Sequence, residues 1–540
     1  MTGDRRLGFV ISGALTKGID VRLDGDVSVE DLAVGRYVTI EGRKRKFFGM
    51  VTDVTLDASD QRIMSAPPDV SDPFVAEVIN GTSTFGRLHV LPMLTIGSDA
   101  GDILDGPQPV KTVPAHFSVV READDLDMGS VFGSVTEGQF YIGTPLDMET
   151  KVRLDTSKLV MRSNGIFGKS GTGKTFLARL VLVGILQEGS AVNLVFDMHN
   201  EYGWSGTSEG GKSVKGLKQL FGSKVAIFAL DAENARKRKV SPDYEVEIGY
   251  GDIEPDDIAM LRETLGLTEA AVGVPHRLAQ RFGRRWLEEF LKAEDSEKLV
   301  ELVPGLKEHE ATMAALRRKL DVLMRLPFLV PEAKGNAIDS ILSYLERGIH
   351  VVLDFGRYGN NISAYILVAN LLTRRIYNMY RERTERALAE GGVKPKSLVI
   401  TIEEAHKFLS RELSGQTIFG TIAREMRKYN VTLLVVDQRP SGIDEEIMSQ
   451  LGTKITCLLD NERDIDSALT GVSGKGELKA VLSKLDSRQQ ALIFGHAVPM
   501  PVVVKTRDYG TPESYKELGL RDALERKKES DKDLKDLFGE

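Results

Sequence analysis

The sequence predicts an α/β chain in which a mostly parallel core sheet is preceded by a small all-β domain and interrupted by a helical bundle. Three observations predict it. Short β-type runs broken by glycine fill the stretch to about Asp147, and continuous apolar runs ending in polar residues alternate with helical patterns from about Gly165. Between two of those runs, apolar residues recur at helical spacing from Glu254 to Arg347.

Taken in order, the runs "LGFVISG", "GRYVTIEG", "FFGMVTDVTL" and "FGRLHVLPMLTIG" have the length and spacing of strands in a small barrel or sandwich. The runs "AVNLVFDMHN", "SLVITIEEAH" and "VTLLVVDQRP" read as strands of a parallel sheet covered on both faces. Such sheets bind ligands beyond the carboxyl ends of their strands. Phe282, Trp286 and Phe290, then Met313, Leu316, Leu320 and Leu323, form stripes that would be the core of a helical subdomain. "GIHVVLDFG" resumes a strand, "AYILVANLLTRRIYNMYRERTERA" a long helix, and the charged tail "ERKKESDKDLKDLFGE" a solvated helix. The expected divisions are residues 1–147, 148–253, 254–347, 348–510 and 511–540.

Composition bounds the function. With 540 residues and 41% hydrophobic content the chain can bury several cores, and two to four domains are expected. Lys plus Arg number 71 against 79 Asp plus Glu, so the net charge of −8 provides no global basic footprint and any nucleic-acid contact must be local. A single cysteine, Cys457, excludes an intramolecular disulfide, and 8 histidines offer few zinc ligands. No stretch approaches the roughly 20 apolar residues of a membrane span, so the expected location is cytoplasmic, with no membrane partner.

The segment "GIFGKSGTGKT" carries the chemistry. It contains G-x-x-x-x-G-K-[ST] as Gly168, Lys169, Ser170, Gly171, Thr172, Gly173, Lys174 and Thr175, placed after an apolar run and before a helical pattern that begins near Phe176. Glycines let main-chain N–H groups converge on phosphate oxygens, and the following helix adds positive potential. Lys174 would reach the β and γ phosphates of a nucleotide, and Thr175 would ligate Mg²⁺. Gly168, Ser170, Gly171, Thr172, Gly173 and Phe176 complete the expected ATP cradle.

Hydrolysis needs a metal anchor and an activator of water. Glu403 and Glu404 end an apolar strand in "SLVITIEEAH"; the first would help hold Mg²⁺ or its waters and the second would polarise the attacking water. Capping of the following helix is the competing reading of that pair. Gln438, closing "VTLLVVDQ", supplies an amide able to sense a γ-phosphate or orient water, and Asp197, closing "NLVFD", would orient polar neighbours or contact metal-bound water. His199 and Glu201 read as loop residues.

Together "GKSGTGKT", "FDMHNEY", "IEEAHKFL" and "AREMRKYNVTLLVVDQRPS" resemble the HerA family of hexameric DNA translocases, within the HerA and FtsK group of P-loop ATPases. The resemblance covers nearly the whole chain. It departs from the family at Glu403, where Asp is usual. It implies a P-loop RecA/FtsK-like core with an N-terminal β-barrel of the HAS type and a helical-bundle insertion. It further implies a homo-hexamer with ATP at each interface and double-stranded DNA in a central pore. By the same resemblance, Arg162 and either Arg424 or Arg427 act on ATP, in cis or across the interface. A separate nuclease resembling NurA, or an anti-phage defence effector, would dock on the barrel, since no nuclease site stands out in this chain. Pore-facing cations are sought in Arg43 to Lys46, Arg236 to Lys239 and Lys475. A nucleotide-dependent ring scaffold that regulates an effector is the alternative; a protein-pumping ATPase and a small-molecule kinase fit fewer features.

Overall fold

The computed structural model describes residues 5–65, 68–97, 99, 106–133, 138–207, 213–293, 300, 303, 310–415, 417–425 and 428–518. The expected charged tail after Leu518 and the candidate Arg427 lie outside them.

Seven strands build the N-terminal domain: β1 (Arg6–Ala14), β2 (Gly18–Leu23), β3 (Tyr37–Glu41), β4 (Arg45–Ala58), β5 (Thr84–Gly97), β6 (Gln108–Pro109) and β7 (Val119–Glu122). Their order is β2-β1-β7-β3-β4-β5-β6, and β2 also pairs with β5, so six strands close into a barrel with β6 on its rim. Closure removes the free edges that an open sheet would expose. Leu7, Val21, Ile40, Val51, Leu88 and Val90 fill the interior.

The core is one sheet of twelve strands. Its first members are β8 (Gln139–Pro145), β9 (Val152–Asp155), β10 (Asn164–Phe167) and β11 (Val192–Asp197). The two-residue strands β12 (Gly206–Thr207) and β13 (Ser213–Val214) pair with each other outside it. β14 (Val225–Ala229) and β15 (Tyr244–Glu245) rejoin it, whereas β16 (Ile248–Gly249) and β17 (Leu329–Val330) form a separate parallel pair. β18 (His350–Asp354), β19 (Leu398–Glu403), β20 (Val431–Asp437), β21 (Thr453–Thr456), β22 (Gln490–Gly495) and β23 (Val502–Thr506) complete the core.

The order is β15-β14-β18-β11-β19-β20-β10-β21-β22-β23-β8-β9. From β15 to β21 neighbours are parallel, and from β21 to β9 they are antiparallel. β11, β14, β18, β19 and β20 are buried along their length, which explains their predominantly apolar character.

Three features differ from the sequence reading. β8, grouped there with the barrel by the division at residue 147, pairs with β23 in the core sheet. Its alternating pattern is compatible with either sheet, and its partner lies far along the chain. β14, in "KVAIFAL", adds a parallel strand beyond β18 that the reading passed over. The antiparallel flank β22–β23 also extends the sheet past the parallel strands.

The helical insertion contains Pro255–Ala259, Glu269–Phe282, Trp286–Lys292 and Glu310–Leu323. Its stripes face inward: Trp286, Phe290, Met313, Leu316, Leu320 and Leu323 are buried, and Phe282 packs against them half-exposed. Asp257 anchors the insertion to the long helix Ile362–Glu390 through Arg374 Nη2 at 2.8 Å. At the other end of the molecule, buried Tyr37 ties the barrel to the core, its hydroxyl accepting the Val503 N–H at 3.0 Å.

Candidate functional site

The carboxyl ends of the parallel strands converge on the loop after β10. Gly171 and Gly173 there have φ of +78° and +89°, a conformation that costs glycine little and other residues much. A Cβ on Gly168 would come within 2.8 Å of Cys457 Cβ and Thr172 Oγ1, so the loop can pass the neighbouring strand only without a side chain at that point. Gly173 leads into the helix Lys174–Glu188, whose first N–H groups carry no side-chain cap. Those donors, with the helix dipole behind them, form an anion cradle.

Thr172 Oγ1 and Lys174 Nζ both donate to the Lys169 carbonyl at 2.8 Å, which closes the loop around a common acceptor. Burial lowers the Lys174 pKa, while Cys457, Glu404, Asp437 and Glu403 pull it back up. A phosphate would add the counter-charge this ammonium lacks.

A cavity of about 280 Å³ opens beside the cradle, lined by Ser170, Lys174, Thr175, Glu403, Glu404 and Gln438. Gly171, Gly173 and Phe176 border it and also a second cavity of about 420 Å³ that includes Thr172. The expected cradle residues therefore lie together, apart from Gly168, which sits beneath the loop.

The two acids have different environments. Glu403, the last residue of β19, is buried; its Oε1 accepts from the Tyr202 hydroxyl at 2.9 Å, and its Oε2 has no hydrogen-bond partner. Burial, followed by repulsion from Asp197 and Glu201, pushes its pKa up to about 8. Glu404 is half-buried with φ +49°, unusual for a residue with a side chain, and this turns it away from the strand direction. Its Oε1 accepts from Gln438 Nε2 at 3.3 Å, and its Oε2 lies 3.8 Å from His406 Nε2.

His406 is held from behind by buried Asp437, which accepts from the His406 main-chain N–H at 2.7 Å and contacts Nδ1 at 2.9 Å. The bond to Asp437 raises the His406 pKa.

Mg²⁺ fits this donor set. Among the described residues no group of three or more His, Cys, Asp or Glu forms a metal cage. An ion that keeps several waters and takes its other ligands from phosphates needs only the Thr175 hydroxyl and the unpartnered Glu403 oxygen.

Asp197 lies behind the cavity, not on it. Its carboxylate accepts three main-chain N–H bonds, from Glu201, Tyr202 and Gly203, at 2.7, 2.9 and 3.0 Å. Of the two functions expected of it, only the orienting one agrees with this geometry. His199 and Glu201, read as loop residues, border the cavity from that loop.

The arginines lie elsewhere. Arg162 precedes β10, at the opposite end of that strand from the phosphate cradle, and is half-buried. Arg424 hydrogen-bonds the carbonyl and hydroxyl of Ser414 at 3.1 Å and contacts Glu446 at 3.3 Å. Neither borders the cavity of its own chain. The cations sought for a pore are largely paired: Lys46 with Asp127, Arg236 with Glu245, Lys237 with Glu233, Arg238 with Asp354 and Lys475 with Asp466.

Four residues that sequence reasoning passed over join the site. Tyr202 and Asp437 bond Glu403 and His406, and His406 follows the paired acids by only two positions. Arg179 projects from the cradle helix, donates to the Glu201 carbonyl and lies over the rings of Phe176 and Tyr509. The strings DMHNEY, EEAH and VVDQ contain three of these residues, but nothing in any of them shows that their loops meet.

Comparison with known proteins agrees with this architecture. Residues 140–376 match the family described as helicase HerA, central domain, and residues 7–72 the HAS barrel domain. The DNA double-strand break repair helicase HerA of Sulfurisphaera tokodaii is 26% identical over 527 residues, covering 92% of each chain. Its namesake in Pyrococcus furiosus is 25% identical over 425 residues, covering 72% of this chain and 73% of that one. Among solved structures, VirB4 of Thermoanaerobacter pseudethanolicus has a TM-score of 0.42 at 15% identity, covering 71% of this chain and 99% of that one. The plasmid coupling protein TrwB in complex with ADP and Mg²⁺ has a TM-score of 0.45 at 13% identity, covering 71% and 97%.

Proposed function

We propose that this chain, similar to HerA helicases over most of its length, is an ATP-driven motor that translocates on double-stranded DNA as a homo-hexameric ring. The observation that carries the reading is the arrangement of Lys174, Glu403, Glu404 and Gln438 around one cavity at the mouth of a glycine-built anion cradle. The HerA relatives named above are DNA double-strand break repair helicases, which supports DNA as the track.

In this reading the cradle N–H groups and Lys174 bind the β and γ phosphates, and Thr175 and Glu403 hold Mg²⁺. The ion, when bound, neutralises charge on the phosphates. Glu404 takes a proton from the attacking water, and the Gln438 amide, already bonded to Glu404, orients that water. His406 braces the outer oxygen of Glu404. Charge developing on the γ-phosphoryl group requires an arginine, and the positions of Arg162 and Arg424 outside their own cavity support supply from the neighbouring subunit. Sequence-independent DNA contact uses Lys and Arg on phosphates, with Arg236 to Lys239 exchanging their acidic partners for DNA. A separate nuclease or defence effector docks on the barrel, where Leu56 and Phe74 are 75% and 72% exposed. No helix among the described residues is long and apolar enough to cross a membrane.

The test is ATP hydrolysis by the full chain with and without linear duplex DNA. Stimulation by duplex, together with displacement of a bound DNA roadblock, is expected. Turnover by an intact ring that ignores DNA would replace the motor with the regulatory scaffold.

A further inference from the structure

We propose that Tyr202 is a positioning residue for the metal-holding carboxylate, leaving one oxygen of Glu403 committed and the other available. The inference rests on the ATPase reading above. It begins with the loop after β11, where Asp197 gathers the N–H groups of Glu201, Tyr202 and Gly203 onto one carboxylate and Asn200 adopts φ +57°. That tight turn returns the chain beneath the sheet and delivers the Tyr202 ring into the core, fully buried. There its hydroxyl donates to Glu403 Oε1 at 2.9 Å.

The main chain of the same glutamate is fixed independently, since the Tyr365 hydroxyl donates to the Glu403 carbonyl at 3.1 Å. A carboxylate turns easily about its last torsion unless one oxygen is held. Here one is held by a neutral donor, and Oε2, the oxygen without a partner, is buried on a side chain that borders the cavity. Buried polar atoms are rarely left without a partner, and such an exception points to a bound species. Asp197 and Glu201 add negative charge around it, which favours a cation. Metal-ligating carboxylates are commonly aimed by hydrogen bonds of this kind.

The experiment uses the full chain, a non-hydrolysable ATP analogue and a Mg²⁺ titration, with ATP turnover as the second readout. Tyr202→Phe keeps the ring and its volume. It should raise the half-saturating Mg²⁺ concentration by about tenfold, the lower end of what removal of such a supporting bond does. Affinity for the analogue without Mg²⁺ should be unchanged, and turnover should recover at high Mg²⁺. In a Glu403→Gln background the same substitution should shift nothing, because Tyr202 acts through that carboxylate. A Tyr202→Phe protein with wild-type Mg²⁺ dependence, including one that only melts at a lower temperature, overturns the proposal, as does an equal shift in both backgrounds. Wild-type protein whose nucleotide binding and turnover ignore Mg²⁺ overturns the ATPase reading itself.

Discussion

The two ends of the core strands differ in chemistry. At their carboxyl ends β10 runs into the phosphate cradle, while β11, β18, β19 and β20 finish in Asp197, Asp354, Glu403 and Asp437. At their amino ends lie Arg162, the buried His350 and Asn193, and Arg424 on the helix leading into β20. Four residues of β10 separate Arg162 from the cradle, roughly 13 Å of extended chain. A single chain thus carries both the anion cradle and the arginine expected to assist it, but at opposite ends of the same strands. In the proposed ring, the amino ends of one subunit would face the cradle of the next, which is how the motor reading accounts for the separation.

The largest effects should come from separating the two ends. Lys174→Ala and Arg162→Ala should each abolish measurable turnover, the arginine alone contributing about a thousandfold. Mixed before assembly, the two dead proteins should regain activity, because an interface can pair an intact cradle with an intact arginine from different chains. Turnover against mixing ratio, measured by phosphate release, checks this. A mixture as inactive as its components would place the arginine in its own subunit's site or outside catalysis.

Within the cradle end a smaller effect separates binding from chemistry. Glu404 is turned toward the cavity by its φ of +49° and bridged by Gln438, so Glu404→Gln keeps the shape and removes the base. Turnover should fall by about a hundredfold or more while the nucleotide stays bound, read as retained ATP in a single-turnover quench. Normal turnover would remove Glu404 from its assigned role.

What the sequence made legible follows the same division. The cradle, Glu403, Glu404 and Gln438 each belong to a local string with a physical signature: glycines before a helix, or polar residues at the end of an apolar run. Asp197 was legible as a polar strand end but not as the organiser of its loop, since its partners are backbone groups. Tyr202 and Asp437 were invisible because their partners lie 201 and 31 residues away in sequence. β8 was assigned to the wrong sheet for a similar reason, an alternating strand carrying no record of which distant edge it will pair with. Local chemistry can be read from a sequence, but long-range pairing cannot be read without the fold.

The smallest effect separates the two ends through pH. His350 opens β18 buried, with Nδ1 accepting the Asn193 N–H at 3.1 Å, an arrangement open only to the unprotonated atom. Burial, aided by Lys224 and Lys396, pushes its pKa from 6.5 down to about 4. Because the unfolded chain binds this proton more readily, the contribution is present above pH 6.5 and is lost as pH falls toward 4. Its size should be on the order of 2 kcal/mol. Glu403 has the opposite sign: its raised pKa favours the folded state below pH 4.5, a contribution lost as pH rises through about 8. Stability to denaturant without Mg²⁺ should therefore be greatest between about pH 4.5 and 6.5 and weaken on either side of that window. His350→Gln should flatten the acid limb and leave the alkaline limb in place. A variant that flattened both limbs, or neither, would mean that the two ends of the sheet do not titrate independently.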